Sequence, residues 1–219
     1  MKVVAVMPVY NEEKTVGGVI RQVKKYADEV VAVDDGSRDD SYAAAERAGA
    51  VVLKHVINMG LGFTLRTGCE KAVRMGADII ITIDSDGQHD PKEIPKLVSE
   101  LKKNRLDIVI GYRPPSKSMP FTKKFGNWLI YNSSKVFFGV DIKDTQSGFR
   151  VFTKRAYQKI KWNSSRYAVA SEIVMNIGKN KLKYKEVRIK TIYGNKFKGT
   201  TVIDGLKIFL SMLWWKIRG

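Results

Sequence analysis

The sequence contains very little cysteine. Cys69 is the single cysteine among 219 residues, so no disulfide can form within the chain. A positively charged segment followed by an apolar one, as in a secretion signal, is absent near Met1, and no apolar run reaches the ~20 residues that cross a bilayer. These absences argue against a disulfide-stabilised secreted scaffold and predict a protein of the reducing cytoplasm.

Several nucleotide-binding and nucleic-acid-binding motifs are missing as well. No Gly-x-Gly-x-x-Gly follows the first apolar run, at residues 3–6, and no Gly-x-x-x-x-Gly-Lys-Ser/Thr occurs in the chain. Their absence disfavours nicotinamide-dependent dehydrogenases and P-loop NTPases. Helix-turn-helix, RNP and zinc-ligand patterns are absent too, which disfavours a nucleic-acid-binding protein.

Acidic residues are scarce in only one half of the chain. Residues 1–100 contain 13 lysines and arginines against 16 acidic residues, whereas residues 101–219 contain 26 against 6. Such an excess predicts an anionic partner for the second half. Because no nucleic-acid motif accompanies the charge, an anionic membrane surface is the favoured partner. Lysines that only keep the protein soluble are the alternative.

The remaining pattern is that of a packed α/β protein, because 44% hydrophobic and 28% charged residues are ordinary globular usage. Short β-branched runs alternate with amphipathic segments, which predicts a parallel, doubly wound sheet. The predicted strands are 3–6, 30–33, 51–53, 79–83 and 108–110, with helices at 13–27, 39–48, 61–76 and 91–104 between them. We expect helices near 120–138, 154–160 and 168–178 and a strand within 184–192 to continue the same domain.

Two carboxylates follow the fourth predicted strand. Asp84 and Asp86 flank one residue, and strand alternation would direct both toward a shared point in the crevice. Together with the side-chain oxygen of Gln88 they suit Mg²⁺ or Mn²⁺. Two acidic residues after a strand can also cap a helix or form a turn, so the metal site is one of two interpretations.

A second acidic pair follows the second predicted strand. A carboxylate of Asp34 or Asp35 could accept a hydrogen bond from a base edge or a ribose hydroxyl, as in other α/β nucleotide sites. A turn with an N-cap at Ser37 or Asp39 is the alternative. Acidic pairs at two strand ends together favour a nucleotide and metal site over two unrelated turns.

Six motifs occur in order between residue 3 and about residue 150. They are Pro8-x-Tyr10-Asn11-Glu12, Asp34-Asp35-Gly36-Ser37-x-Asp39, Asn58-x-Gly60-x-Gly62, Asp84-x-Asp86-x-Gln88-His89-x-Pro91, Gly111-x-Arg113 and Asp144-x-x-Ser147-Gly148-Phe149-Arg150. In this order they resemble the motifs of family 2 glycosyltransferases, and most of all those of the polyprenol-phosphate glycosyltransferases, the dolichyl-phosphate mannose and glucose synthases. Six ordered motifs are far more specific than any one of them.

The resemblance implies a GT-A fold, a Rossmann-like and mainly parallel sheet flanked by helices. It also implies inverting transfer of one sugar from a GDP- or UDP-sugar to a polyprenyl phosphate, with Mg²⁺ or Mn²⁺ as cofactor. The nucleotide sugar would bind Pro8, Tyr10, Asn11, Glu12, Asp34, Asp35, Asp84, Ser85, Asp86 and Gln88, and the metal Asp84, Asp86 and Gln88. The acceptor would bind Arg113, Ser147, Arg150 and Glu172, and the catalytic group would be Asp86, Arg113, Asp144 and Arg150.

The acceptor determines what Asp144 must do. A phosphate monoester has a second pKa of about 6, so it is mostly dianionic at neutral pH and needs no general base. We therefore expect Asp144 to orient the acceptor or a basic neighbour, and Arg113 and Arg150 to offset phosphate repulsion. With a glycan, protein or other lipid hydroxyl as acceptor, Asp144 would be a true base. A nucleotidyltransferase and an inactive partner subunit are further interpretations.

Within one domain, we expect residues 1–113 to bind the nucleotide sugar, 114–200 the acceptor and 201–219 the membrane. Apolar residues recur at helical spacing from Val202 to Ile217, which predicts a C-terminal amphipathic helix that lies in the membrane interface. Residues 117–138 repeat the pattern, and the Lys-rich run 179–198 could bind headgroups or close over the donor. Core or dimer helices are the alternative. A separate membrane-anchor subunit is another way to reach a lipid acceptor.

Overall fold

The computed structural model of the protein describes residues 1–114, 121–190, 192 and 202–218, with side chains for all of these except 121–123 and 202–204. Its strands are β1 (Val3–Val9), β2 (Glu29–Asp34), β3 (Val51–Lys54), β4 (Ile79–Thr82), β5 (Ile108–Tyr112), β6 (Arg150–Thr153) and β7 (Tyr184–Arg188). Its helices are α1 (Val16–Val23), α2 (Ser41–Arg47), α3 (Leu61–Arg74), α4 (Ile94–Lys103), α5 (Phe121–Phe138), α6 (Lys154–Ile160), α7 (Val169–Lys179) and α8 (Val202–Arg218). A 3-10 turn at Pro91–Glu93 precedes α4.

The described strands form one sheet in the order β3-β2-β1-β4-β6-β5-β7. From β1 the chain passes to β2 and β3 on one side and then returns to β4 on the other. The point between β1 and β4 is therefore the topological switch point, where open α/β sheets bind ligands. The five strands predicted in the first half of the chain are confirmed, and the fourth and first lie side by side.

Strand β6 departs from the predicted pattern. It lies between β4 and β5 and is antiparallel to both, so the sheet is mainly rather than wholly parallel. The sequence pattern does not predict β6, because Arg150–Thr153 has only four residues and runs directly into α6. The insertion matters for the site, since it brings Arg150 beside Thr82 at the end of β4.

Two apolar layers cover the faces of the sheet. One includes Met7, Ile20 and Ile81 and packs helices α1, α2 and α4 against one face. The other includes Val33, Leu65 and Phe152 and packs α3, α6 and α7 against the opposite face. This is the doubly wound arrangement that the alternation of elements predicts. Helices on both faces leave the strand ends open to a ligand.

Helices α5 and α8 pack on one another through a third apolar cluster. Ile130 of α5 lies against Ile208 and Met212 of α8. The residues of α8 that point away from this contact are exposed; they are Leu206, Leu210, Trp214 and Ile217. One face of the C-terminal helix therefore packs internally, as the core-helix interpretation predicts, and another face is uncovered. Membrane binding by the uncovered face stays a prediction.

Within the described ranges, no helix has both the length and the apolar content needed to cross a bilayer. Part of the Lys-rich run, including the segment 193–196 expected to move over the donor, lies outside the described residues. So do residues 117–120 of the first amphipathic segment.

Candidate active site

A cleft of about 780 Å³ opens at the carboxyl ends of β1 and β4. It is lined by Pro8, Val9, Tyr10, Asn11, Glu12, Asp35, Asn58, Gly60, Leu61, Thr64, Leu65, Asp84, Ser85, Asp86, Gln88, Arg113, Gln146, Gly148, Arg150, Arg166, Tyr167, Val169 and Ala170. The cleft thus lies at the switch point of the sheet. It gathers most of the residues that the motifs predict for the donor.

The segment after β1 forms one edge of the cleft. Asn11 has a left-handed φ of 54°, and its side-chain oxygen accepts a hydrogen bond from the Arg38 amide at 2.9 Å. The Asn11 amide in turn donates to the Ser37 hydroxyl at 3.0 Å. These bonds hold the loop after β1 against the loop after β2. They leave Tyr10 with 43% of its surface exposed beside the cleft.

Asp84 lies at the floor of the cleft, against a histidine. An Asp84 carboxylate oxygen is 3.2 Å from Nε2 of His89, a buried side chain that also packs on the ring of Phe149. Burial acts to raise the pKa of Asp84, but the contact with His89 and the charges of Arg113 and Arg150 outweigh it and hold that pKa below its ordinary value. Asp84 is therefore an anion at neutral pH.

Asp86 has the opposite shift. Burial is the largest cause that raises the pKa of Asp86, and the nearby charges of Asp84 and Glu12 raise it further. The amide of Gln88 donates to Asp86 at 3.0 Å and opposes this shift without cancelling it. A divalent cation bound between carboxylates relieves repulsion of this kind in a partly open cleft.

The donor set suits a cation that is shared with a substrate. The described residues include no group of three or more histidine, cysteine or acidic side chains arranged to hold a metal. Mg²⁺ is commonly held by one or two carboxylates together with substrate phosphates. Asp84 and Asp86 supply the two carboxylates, and Gln88, which also lines the cleft, supplies an amide. The residues present therefore fit a cation completed by a diphosphate.

Gly148 brings the chain very close to Asp84. A Cβ atom placed on Gly148 would overlap both carboxylate oxygens of Asp84. The hydroxyl of Thr82 donates to the Gly148 carbonyl at 2.8 Å and fixes this approach. A larger residue at this position would have to displace the Asp84 carboxylate.

Two arginines face the carboxylates, and the first is held by Asp144. Arg113 follows β5; its Nε donates to one oxygen of Asp144 at 2.9 Å and a terminal nitrogen donates to the other at 3.3 Å. The Arg113 amide also donates to Asp144, at 3.1 Å. Burial acts to lower the pKa of Arg113, but the charge and hydrogen bonds of Asp144 raise it overall.

Glu186 supports this pair from β7. One oxygen of Glu186 accepts a hydrogen bond from the Asp144 amide at 2.9 Å. Burial and, more weakly, the charge of Asp144 raise the pKa of Glu186. Sequence reasoning did not single out Glu186, since the parallel pairing of β7 with β5 that brings it close was not predicted.

Arg150 is a buried cation at the cleft. Only 3% of Arg150 is exposed, and a terminal nitrogen donates to the Thr145 carbonyl at 3.3 Å. Burial lowers the pKa of Arg150 to about 10, against the opposing effect of Asp84 and Asp144. The side chain therefore stays charged at neutral pH. An anion in the cleft would offset the desolvation of this guanidinium.

The two residues of the second acidic pair, Asp34 and Asp35, have different surroundings. Both oxygens of Asp35 accept backbone hydrogen bonds, from Met59 at 2.9 Å and from Gly60 at 2.8 Å. His55 also contacts Asp35, at 2.7 Å through Nδ1. Asp35 lines the cleft while its carboxylate holds the loop after β3. Asp34 is 1% exposed, caps the Ser37 amide at 3.1 Å and is not among the cleft-lining residues.

Three further predicted residues also lie outside the cleft lining. Ser147 is fully buried, and Asp144 lies behind Arg113. Glu172, on α7, is 6% exposed and accepts hydrogen bonds from the amides of Asn163 and Ser164. Ser85 does line the cleft, but its hydroxyl donates to the Pro8 carbonyl at 2.8 Å and ties β4 to β1. The structure thus places these polar groups in the framework of the cleft.

Two residues that sequence reasoning missed lie in the cleft. Arg166 and Tyr167 come from the loop before α7 and line the wall next to Gly60 and Leu61. That loop contains no recognisable motif, so nothing in its sequence alone distinguished Arg166 from the other basic residues of the second half.

Comparison with known proteins identifies the family. Residues 4–162 match the family described as Glycosyl transferase family 2. The chain is 34% identical to UDP-N-acetylglucosamine–dolichyl-phosphate N-acetylglucosaminyltransferase of Methanococcus voltae, over 97% of this chain and 95% of that protein. It is 27% identical to dolichol-phosphate mannosyltransferase of Pyrococcus furiosus, over 99% of this chain and 65% of that protein.

Solved structures confirm the expected GT-A fold. Glucosyl-3-phosphoglycerate synthase of Mycobacterium tuberculosis, in complex with Mn²⁺, uridine-diphosphate-glucose and phosphoglyceric acid, superimposes with a TM-score of 0.75 at 19% identity. The match covers 96% of this chain and 79% of that one. With this fold, the ordered motifs and a family match across most of its length, the chain belongs to glycosyl transferase family 2 and is a glycosyltransferase.

Proposed function

We propose that this glycosyltransferase transfers one sugar from a nucleotide diphosphate sugar to a polyprenyl phosphate, with Mg²⁺ or Mn²⁺. The observation that carries the proposal is a single cleft lined both by the carboxylates Asp84 and Asp86 and by the guanidinium groups of Arg113 and Arg150. The carboxylates suit a metal-bound diphosphate. The guanidinium groups suit the phosphate of the acceptor.

The reaction is a single displacement with inversion. An oxygen of the acceptor phosphate forms a bond to the anomeric carbon while the bond from that carbon to the diphosphate breaks. When bound, a divalent cation would neutralise the charge on the departing diphosphate. Arg113 and Arg150 reduce repulsion between the two anionic substrates, which keeps the acceptor oxygen near the sugar.

The environment of Asp144 supports a phosphate acceptor. Both oxygens of Asp144 accept hydrogen bonds from Arg113, and the residue does not line the cleft. A carboxylate held in this way orients a cation and is poorly placed to remove a proton from a hydroxyl acceptor. A phosphate dianion needs no base, so the arrangement suits the lipid phosphate better than a hydroxyl.

The names of two relatives indicate which donors to test first. The relative from Methanococcus voltae carries UDP-N-acetylglucosamine and dolichyl phosphate in its name and aligns along nearly the whole chain. UDP-N-acetylglucosamine is therefore the donor to test first. GDP-mannose comes next, on account of the mannosyltransferase from Pyrococcus furiosus.

Thermal unfolding with each donor, with and without Mn²⁺, tests the donor site. A ligand that binds only the folded protein raises its melting temperature. We expect UDP-N-acetylglucosamine with Mn²⁺ to raise that temperature for the wild type and not for Asp86→Ala. Asp40→Ala is the matched control, because Asp40 pairs with Arg47 on the surface. Absence of a shift with every donor would overturn the proposal.

The exposed face of α8 supports peripheral binding to the cytoplasmic face of a membrane. Leu210 and Trp214 are 55% and 53% exposed, and the guanidinium of Arg218 lies 4.5 Å from the centroid of the Trp214 ring. Phe125 and Trp128 of α5 are exposed too and stack at 5.8 Å. Apolar side chains next to lysines and arginines suit an anionic headgroup layer.

Vesicle sedimentation tests the membrane face. We expect Leu210→Ser and Trp214→Ser to weaken binding to vesicles that contain anionic phospholipid. Val56→Ser is the control, because Val56 is 96% exposed on the distant loop after β3. Wild-type binding by all three variants would show that another surface contacts the lipid, whereas a wild type that does not bind these vesicles would favour a separate membrane-anchor subunit.

A further inference from the structure

The segment 162–167 is fastened to the first turn of α3. The Gly62 amide donates to the Ser165 carbonyl at 2.7 Å, and Nε1 of Trp162 donates to the Gly62 carbonyl at 2.8 Å. A Cβ atom on Gly62 would overlap the Ser164 carbonyl, and one on Gly60 would come within 2.6 Å of the Ser165 carbonyl. The two glycines thus allow backbone to lie directly on backbone.

Glu172 fastens the same segment from the other side. One oxygen of the Glu172 carboxylate accepts from the Asn163 amide at 2.9 Å and the other accepts from the Ser164 amide at 2.8 Å. Hydrogen bonds to a charged acceptor are stronger than neutral ones. The segment is therefore held at three points, by Trp162, by the glycines at the start of α3 and by Glu172.

This attachment places Arg166 over the donor side of the cleft. The position of a Gly60 Cβ would be 3.2 Å from Cγ of Arg166, so the stem of the arginine lies on Gly60. Asn58 and Leu61 line the cleft next to it. Arg166 is exposed and makes no side-chain hydrogen bond or ion pair with any other described residue. Its backbone is fixed while its guanidinium remains available.

We propose that Arg166 binds the diphosphate of the donor and that Glu172 is a positioning residue for it. This inference rests on the proposed function. The acceptor arginines come from β5 and β6, whereas Arg166 adjoins the loop that Asp35 fixes at Gly60. That loop belongs to the half of the cleft formed by Pro8, Tyr10 and Asn11. In the sheet, β3 lies on the opposite side of β1 and β4 from β6 and β5, so a cation beside the loop after β3 suits the donor phosphates.

Binding of nucleoside diphosphates with Mn²⁺ tests the assignment. UDP and GDP are the probes, with uridine and guanosine as ligands that lack phosphate. We expect Arg166→Ala to lower the affinity for the nucleoside diphosphate by about tenfold to a hundredfold, as for the loss of one charge-assisted hydrogen bond. The affinity for the nucleoside should stay unchanged. Arg166→Lys recovers part of the affinity. Arg155→Ala is the control, an exposed arginine on α6 away from the cleft.

The other outcomes have distinct meanings. An unchanged affinity for the diphosphate in Arg166→Ala overturns the inference. If the KM for a polyprenyl phosphate rises in the same variant, Arg166 binds the acceptor phosphate instead. A wild type that binds neither UDP nor GDP contradicts the proposed function itself.

A double-mutant cycle tests the role of Glu172. Glu172→Gln keeps the size of the side chain and removes its charge, so we expect a weaker version of the Arg166→Ala effect on diphosphate affinity. When Arg166 is already alanine, the glutamine should add almost nothing, because the two residues act through one contact. Additive losses would show that Glu172 serves only the stability of the loop.

Discussion

The two walls of the cleft are built in different ways. The acidic wall, Glu12, Asp84 and Asp86, comes from the ends of the neighbouring strands β1 and β4, and burial together with the charges of Asp84 and Glu12 raises the pKa of Asp86. The basic wall, Arg113 and Arg150, comes from β5 and the inserted β6 and is partly neutralised by Asp144. The acidic wall would be completed by the proposed cation, whereas the proposed acceptor phosphate would meet a basic wall that is already held in place.

The walls are also mechanically joined. Gly148, two residues before Arg150, passes so close to Asp84 that no side chain fits between them. A change in the segment that carries the basic wall can therefore disturb the acidic one. Substitutions can be chosen to separate the walls or to break the connection.

Arg150→Met should have the largest effect, and it should impair the basic wall without impairing the acidic wall. We expect kcat/KM to fall by about a hundredfold or more, since a preorganised cation at the reacting phosphate is lost. Metal-dependent donor binding should stay within about threefold of the wild type, and folding should survive because methionine fills a buried arginine site well. Steady-state kinetics and donor titration measure the two quantities. Arg155→Met serves as control, and an equal loss of donor affinity would contradict the separation.

Gly148→Ala should break the connection. The added methyl group must displace the Asp84 carboxylate, so we expect metal-dependent donor affinity to fall by about tenfold to a hundredfold, as when a metal ligand loses its support. Titration of the donor with Mn²⁺ measures this loss. Gly18→Ala on α1 is the control, since a Cβ there meets nothing within 4 Å. Normal affinity in Gly148→Ala would show that Asp84 is not a ligand.

Asp144→Asn should have the smallest effect of the three. The amide still accepts one hydrogen bond from Arg113 but loses the charge that holds the guanidinium, so we expect kcat to fall by about tenfold. Asp141→Asn is the control, because Asp141 lies three residues before Asp144 and pairs with Lys135 at the surface. A fall of a thousandfold or more, with a new pH dependence of kcat, would instead identify Asp144 as a base for a hydroxyl acceptor.

Sequence reasoning located the acidic wall because its information is local. Asp84 and Asp86 follow an apolar run, and strand alternation together with the carboxyl-end rule is enough to put them in a cleft. The same reasoning listed Asp34, Ser147 and Glu172 as ligand-binding residues, yet all three lie outside the cleft lining. From the sequence alone, a carboxylate that binds a substrate cannot be distinguished from one that accepts hydrogen bonds from backbone amides.

The helix α8 gives a second example. Its period of apolar residues predicted an amphipathic helix, and the helix is present at Val202–Arg218. Periodicity could not tell which apolar residues pack on α5 and which are left uncovered. Met212 is buried and Leu210 is exposed, since residues two apart lie on nearly opposite sides of a helix, but only the packing against α5 decides which side is covered.

The sequence by itself determined the alternation of strands and helices, the acidic strand ends and the family. The strands, helices and acidic strand ends depend on residues close together in the chain, and the family depends on the order of six such short motifs along it. Only the tertiary structure decided that β6 enters the sheet antiparallel, that Asp144 grips Arg113 and that Glu172 holds the segment bearing Arg166. The reason is physical, because a hydrogen-bond partner 31 residues away, as Asp144 is from Arg113, is selected by packing of the whole sheet and has no local pattern.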